Sequence, residues 1–227
     1  MSLHRALSRW LAVRCAVCAI ERGEPLVCRG CAADFFAPAH RCARCAISLP
    51  NDAELCGPCL HEPPRFDATL TVADYAPPID GLILALKFGH RLELAPVLGA
   101  LLAERAVALA PLRPIVVPVP LAFERLAERG FNQSFEIART TARTLDVPFD
   151  GGALTRVRHA PAQASLPLDA RRRNIRGAFV VRRNVRGLRV AVVDDVMTSG
   201  STLDEIARVL KQAGADHVTN LVVARTP

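Results

Sequence analysis

The chain has 227 residues, 51% hydrophobic and 22% charged, enough for one ordinary domain with a buried core and a second, smaller one. Its formal net charge is +7, carried by 27 Arg and only two Lys. That balance favours anionic partners such as nucleic acid, phosphates or pyrophosphate, although a general bias toward Ala and Arg supplies part of it. No apolar run approaches the ~18 residues of a membrane helix, and Arg5, Arg9 and Arg14 interrupt any signal-peptide core. No membrane insertion and a cytoplasmic location are therefore expected, where eight cysteines serve as metal ligands rather than disulfides.

In chain order, residues 1–14 carry Leu3, Leu7, Trp10 and Leu11 at helical spacing, which predicts a short amphipathic helix. All eight cysteines follow, as four Cys-x-x-Cys knuckles: Cys15/Cys18, Cys28/Cys31, Cys42/Cys45 and Cys56/Cys59. The knuckles are separated by nine, ten and ten residues. Two knuckles supply four thiolates in a tetrahedral array, which suits zinc, so two structural zinc ions are expected, with iron–sulfur ligation as the minor alternative. Sequential and interleaved pairing of the knuckles both remain open. The segment has few apolar residues, so its folding should depend on metal.

His61-Glu-Pro-Pro64 reads as a turn-rich linker, which places a zinc-ribbon domain at 1–62 and an α/β domain at 63–227. Phe66 to Tyr75 predicts a strand, Ile79 to Phe88 a helix ending at Gly89, and Lys87-Phe-Gly-His-Arg91 a basic turn. Leu92 to Leu109 predicts a second, Ala-rich helix. Ile115 to Val119 predicts a strand that ends in Pro118-Val-Pro-Leu121, whose prolines rigidify the exit toward Pro120 and Leu121. Arg129-Gly-Phe-Asn-Gln133 predicts a polar loop, a candidate mobile lid carrying a cation, before a helix to Leu145. From Arg156 to Arg189 there are ten Arg and a single acid, Asp169. Arg171, Arg172, Arg173 and Arg176 in that run are candidates for contact with a nucleic-acid backbone. Phe179 to Val181 predicts a short strand and His217 to Ala224 the last one.

The stretch with the most chemistry is Arg189 to Leu203. Val190-Ala-Val-Val193 is a short, mostly β-branched apolar run, as in a strand buried on both faces of a parallel sheet. Asp194 and Asp195 follow, where the strand is expected to end, then Thr198-Ser-Gly-Ser-Thr202 and an amphipathic helix capped by Ser201 or Thr202. Hydroxyls, backbone N–H groups and a helix N-terminus make an anion site. Two carboxylates beside such a site suit a vicinal diol better than a phosphate. A ribose 5-phosphate satisfies both, with its phosphate on Thr198, Ser199, Gly200, Ser201 and Thr202 and its hydroxyls on Asp194 and Asp195.

This stretch resembles the 5-phosphoribosyl 1-pyrophosphate (PRPP) motif of type I phosphoribosyltransferases. With the cysteine array, Pro118-Val-Pro-Leu121, Arg129-Gly-Phe-Asn-Gln133, Gln163 and Arg173-Asn174, the whole chain resembles the ComF family of the ComFC/GntX type. The resemblance implies a mainly parallel sheet flanked by helices, preceded by double zinc ribbons. It implies PRPP with Mg²⁺ as ligand, Pro120, Leu121 and Arg129 near pyrophosphate, and a role in DNA uptake and natural transformation on incoming single-stranded DNA, with other uptake or recombination proteins as candidate partners. The implied activity is phosphoribosyl transfer to an unidentified acceptor. The alternatives are a non-catalytic single-stranded-DNA binder and a nucleotide-sensing regulator. Thr198 departs from the acid that purine-salvage enzymes often carry at that position, and any cover over an acceptor is expected from 63–110 or from the ribbons.

Overall fold

In the computed structural model, residues 14–20, 27–50, 52–158 and 174–227 are described. The expected N-terminal helix and Arg171, Arg172 and Arg173 lie outside them. Among the described residues, the cysteine modules hold the short helices α1 (Arg29–Phe35) and α2 (Gly57–His61). Next come β1 (Ala68–Asp74), α3 (Ile79–Phe88), α4 (Leu94–Ala106) with a 3-10 extension (Val107–Leu112), β2 (Ile115–Pro118), α5 (Phe123–Arg129) and α6 (Gln133–Leu145). The chain ends with β3 (Leu154–Arg156), β4 (Phe179–Val181), β5 (Arg189–Met197), α7 (Ser201–Gln212) and β6 (His217–Arg225).

Four strands form a parallel sheet in the order β1-β6-β5-β2, and β3 pairs with β4 in a separate antiparallel ladder. Central β5 is apolar on both faces because helices cover both. On one face Ala191 and Val193 pack with Leu98 and Leu102 of α4, Ile137 of α6 and Leu86 of α3. On the other, Val190 and Val192 pack with Leu203, Ile206 and Leu210 of α7. Each fully buried aliphatic side chain there contributes about 1.5–3 kcal/mol.

Three sequence expectations change. Strand β5 runs on through Asp194 and Asp195 to Met197, because Asp194, Val196 and Met197 continue the parallel register with Val222, Ala224 and Arg225 of β6. Pairing on the ladder outweighs the low strand propensity of Asp. The polar loop expected over 129–133 narrows to Gly130–Asn132, between α5 and an α6 whose first residues Gln133 and Ser134 are buried. Finally, Leu94–Leu112 is a 19-residue helical stretch of mean hydropathy 1.5, long and apolar enough to cross a membrane. Glu104 and Arg105 hide it from a search for unbroken apolar runs. Half of it is buried, and it packs on α6 and the sheet as a core helix.

Candidate functional site

At the end of β5 the backbone turns through Thr198 and Ser199 into Gly200, which sits in the left-handed region at φ +77. That conformation selects glycine, while an added Cβ would meet only the flexible tip of Met197, at 2.6 Å from Cε. Gly200 itself is the N-cap of α7 and no side chain caps the helix, unlike the expected Ser201 or Thr202 cap. Ser199 Oγ lies 2.9 Å from Ser201 Oγ. The result is a small cradle lined by Asp194 and residues 196–203, with the first turn of a 12-residue helix opening into it. Such a helix start favours an anion.

The two acids differ although they are neighbours. Successive strand residues point to opposite faces. Asp194 is part-exposed and lines the cradle. Its Oδ1 accepts from Ser134 Oγ at 2.9 Å and from the Asp195 backbone N–H at 3.0 Å. Asp195 is 4% exposed. Its Oδ1 accepts from Val196 N–H at 2.7 Å, and its Oδ2 lies 2.6 Å from Lys87 Nζ of α3, an ion pair whose angles fall outside hydrogen-bond geometry. Burial first, and the Asp195 charge second, push the Asp194 carboxyl up to about 7, against the pull of Lys87 and Ser134.

Val119 N–H donates to Val193 O at 2.9 Å, which carries Pro120 and Leu121 to the same end of the sheet as Asp194. Asn132 fixes that corner, since its Nδ2 donates to Val119 O at 3.0 Å and its Oδ1 accepts from Ser134 N–H at 3.0 Å as the α6 cap. The Arg129 guanidinium stacks on the exposed Phe88 ring at 4.9 Å, and Arg129, Arg125 and Lys87 border one shallow depression. Burial lowers the Arg129 pKa from its usual value. Arg176 lies on the other side of the loop. It lines a cleft of about 640 Å³ between residues 62–66, the second cysteine module and the side of α7, beside Ser199–Ser201.

Lys87, Asn132 and Ser134 were missed as site residues. Lys87 is marked in sequence only by the basic turn it opens and by its rarity, one of two lysines against 27 arginines.

The knuckles pair sequentially. The Sγ atoms of Cys15, Cys18, Cys28 and Cys31 form one cluster and those of Cys42, Cys45, Cys56 and Cys59 another, all within 4.8 Å of one another in each. Cys18 and Cys28 Sγ are 3.9 Å apart and Cys45 and Cys56 Sγ 3.6 Å. An ion bound tetrahedrally by thiolates needs edges of about 3.8 Å. Backbone N–H groups of Val17 and Cys28 point at Cys15 Sγ, and that of Cys56 at Cys42 Sγ. Burial pushes the Cys15 and Cys42 thiols up, but these backbone donors outweigh it and bring them down to about 6 and about 7. Burial and neighbouring sulfurs push Cys31 up to about 12 and Cys59 still further. Four sulfurs gathered at tetrahedral spacing, with backbone N–H groups that favour the thiolate, fit structural zinc.

A family model for the phosphoribosyl transferase domain matches residues 132–227. The chain is 37% identical over 206 residues to the DNA utilization protein YhgH of Salmonella typhi, covering 88% of this chain and 90% of that protein. The chain belongs to the ComF family. It is also 33% identical over 208 residues to Competence protein F of Haemophilus influenzae, again covering 88% of this chain and 90% of that protein. Among solved structures, the allosteric regulatory enzyme of purine biosynthesis aligns at 26% identity and TM-score 0.40, over 56% of this chain and 25% of that one. The ComF assignment accords with the parallel sheet flanked by helices and with both four-cysteine clusters.

Proposed function

We propose that this ComF protein binds PRPP at the C-terminal end of β5 and transfers its phosphoribosyl group, in the cytoplasmic handling of incoming single-stranded DNA. The cradle carries this reading: an anion-binding loop on a helix start, directly beside a part-exposed carboxylate. The 5-phosphate would take the N–H groups and hydroxyls of 198–202, and the ribose hydroxyls would donate to the acids of β5. Transfer breaks the C1–O bond to pyrophosphate, which leaves with the bonding electrons, while an acceptor lone pair forms the new bond at C1. Arg129, which borders a depression with Lys87, Phe88, His90, Arg125 and Glu128, would offset the charge that develops on the leaving group. A Mg²⁺ ion would arrive on the substrate phosphates. The names of the relatives, DNA utilization protein and Competence protein F, support the link to DNA.

Two measurements test the reading. Titration calorimetry with Mg²⁺ and PRPP should give saturable binding, and pyrophosphate release should rise when single-stranded DNA is added. Binding without release under either condition would leave the non-catalytic binder, which Arg176 at the cleft beside Ser199–Ser201 also supports. No PRPP binding at all would overturn the reading.

A further inference from the structure

The cleft of about 640 Å³ beside α7 has no ligand in the phosphoribosyl reading, yet its volume is that of a small-molecule site. Its charges do not cancel. Four arginines line it against three acids, an excess of one positive charge. Arg65 pairs with Asp204 and Arg208 with Glu205, both at 2.6 Å. Arg176 and Arg225 line the same cleft and form no ion pair among the described residues. Arg225 is 8% exposed, and a buried charge ordinarily faces an opposite one. Its Nε donates to Cys45 O and its Nη1 to Met197 O and Thr226 Oγ1, so both are spent on neutral oxygens. Its Nη2 has no acceptor among the described residues and is not sealed off from the cleft. The apolar part of the lining is rich in rings, from Pro58, Pro63, Pro64 and Phe66.

We infer that this cleft binds a small ring-bearing carboxylic acid, its carboxylate held by Arg225 Nη2 and Arg176 and its ring laid on the proline and Phe66 surfaces. One carboxylate matches the excess of one positive charge and supplies the charged acceptor that Nη2 lacks. A dianionic phosphate would overshoot that charge, and the loop already offers a phosphate the backbone N–H groups of its own cradle. Flat rings bury apolar area against proline and aromatic side chains in such a slot. Ser199, Gly200 and Ser201 line both the cleft and the cradle, so the acid and a phosphorylated ligand would lie on either side of one loop. The inference goes beyond the PRPP reading and stands without it.

The test is titration calorimetry on the full, metal-replete chain with nicotinate, indole-3-carboxylate and 1-naphthoate, each beside its uncharged amide. At least one acid should bind at one site per chain, ten or more times tighter than its amide. R176E, a change at an exposed position, should weaken that acid at least tenfold and leave the amide as it was. R225M should remove the advantage of acid over amide; if R225M does not fold, R176E and the acid-to-amide ratio carry the comparison. Saturating inorganic phosphate should not displace the acid. No binding by any of the three acids would overturn the inference, as would amides that bind equally well or an R176E variant with wild-type affinity. Displacement by phosphate would place the acid in the cradle, and displacement by a short single-stranded oligonucleotide would assign the cleft to a polyanion; either result also overturns it. None of these outcomes depends on whether PRPP binds, so the two readings fail separately.

Discussion

Cys15–Cys31 and Cys42–Cys59 have the same ligand set and close spacing, yet they are attached to the rest of the chain in different ways. The first module leans on the α3 and α4 face through apolar contacts of Cys15, Cys28, Cys31 and Phe36, with Arg105 of α4 donating to Phe36 O. The second is tied by polar bonds to the sheet itself. Arg41 pairs with Asp74 at 2.7 Å, Arg44 donates to Phe66 O at 3.1 Å, and Thr69 N–H donates to Ala43 O at 3.3 Å. Arg225, buried at the end of β6, donates to Cys45 O at 3.0 Å and to Met197 O at 3.3 Å. Met197 is the last residue of β5, next to Thr198, where the anion loop starts. One buried side chain therefore touches both the second cysteine module and the root of the loop. A metal site of common chemistry can be a local staple in one place and part of the support of a functional loop in another.

The largest expected effect separates the two modules directly. C42S/C45S should lower zinc content by one ion per chain, reduce the melting temperature sharply and abolish PRPP binding, because the Cys45 carbonyl loses its fixed position under Arg225. C15S/C18S should also lose one ion but keep PRPP affinity within a few-fold. Elemental analysis with calorimetry on both variants decides it. Equal loss of PRPP binding in the two would break the distinction.

A smaller effect is expected when the link is cut without touching a metal ligand. Arg225→Met keeps the aliphatic stem and removes the donors to Cys45 O and Met197 O. Hydrogen bonds from a charged group contribute about 1.5–3 kcal/mol each, so stability should drop by a few kcal/mol. Both zinc ions should remain, while PRPP affinity falls. Unchanged affinity in the folded variant would show that the loop stands without Arg225.

Much of this architecture was legible in sequence, and the exceptions have physical causes. The helix Ile79–Phe88 and the strand Phe179–Val181 emerged with their ends, because Gly89 and local apolar patterning mark them. The boundary of β5 did not, because Asp194 and Asp195 are held in the strand by β6, a partner more than twenty residues away. For the same reason Asp195 is buried, although the pair is expected where the strand ends. Metal chemistry could be read from Cys-x-x-Cys alone, whereas the pairing of knuckles could not, since nearly equal spacings allow either pairing. Lys87 lies more than a hundred residues from Asp195, and neither its rarity nor its basic turn points to that partner.

The smallest expected effect lies at Asp194, where the support given by the second module would be felt. Four charged groups act around this carboxyl: Asp195 on its own strand, Lys87 of α3, Arg129 of α5, whose field reaches Asp195, and Arg156 of β3. Ser134 of α6 adds a neutral donor. Burial and Asp195 prevail, and the carboxyl is pushed up to about 7, above the ordinary range near 4. A raised folded-state value means that the folded chain holds this proton where the unfolded chain has released it. Stability from this group is therefore fully present below about pH 4 and is lost as pH rises toward 7. D194N removes the titration, so its melting temperature should exceed that of the wild type by a few degrees at pH 8, with the difference shrinking as pH falls toward 4. The gain should persist in the C15S/C18S background and diminish in C42S/C45S, where a looser end of β5 lets water reach Asp194 and relieves the burial that raises its pKa. Melting curves across pH in the three backgrounds measure this; a gain that is the same in all three would mean that the second module does not hold the end of β5.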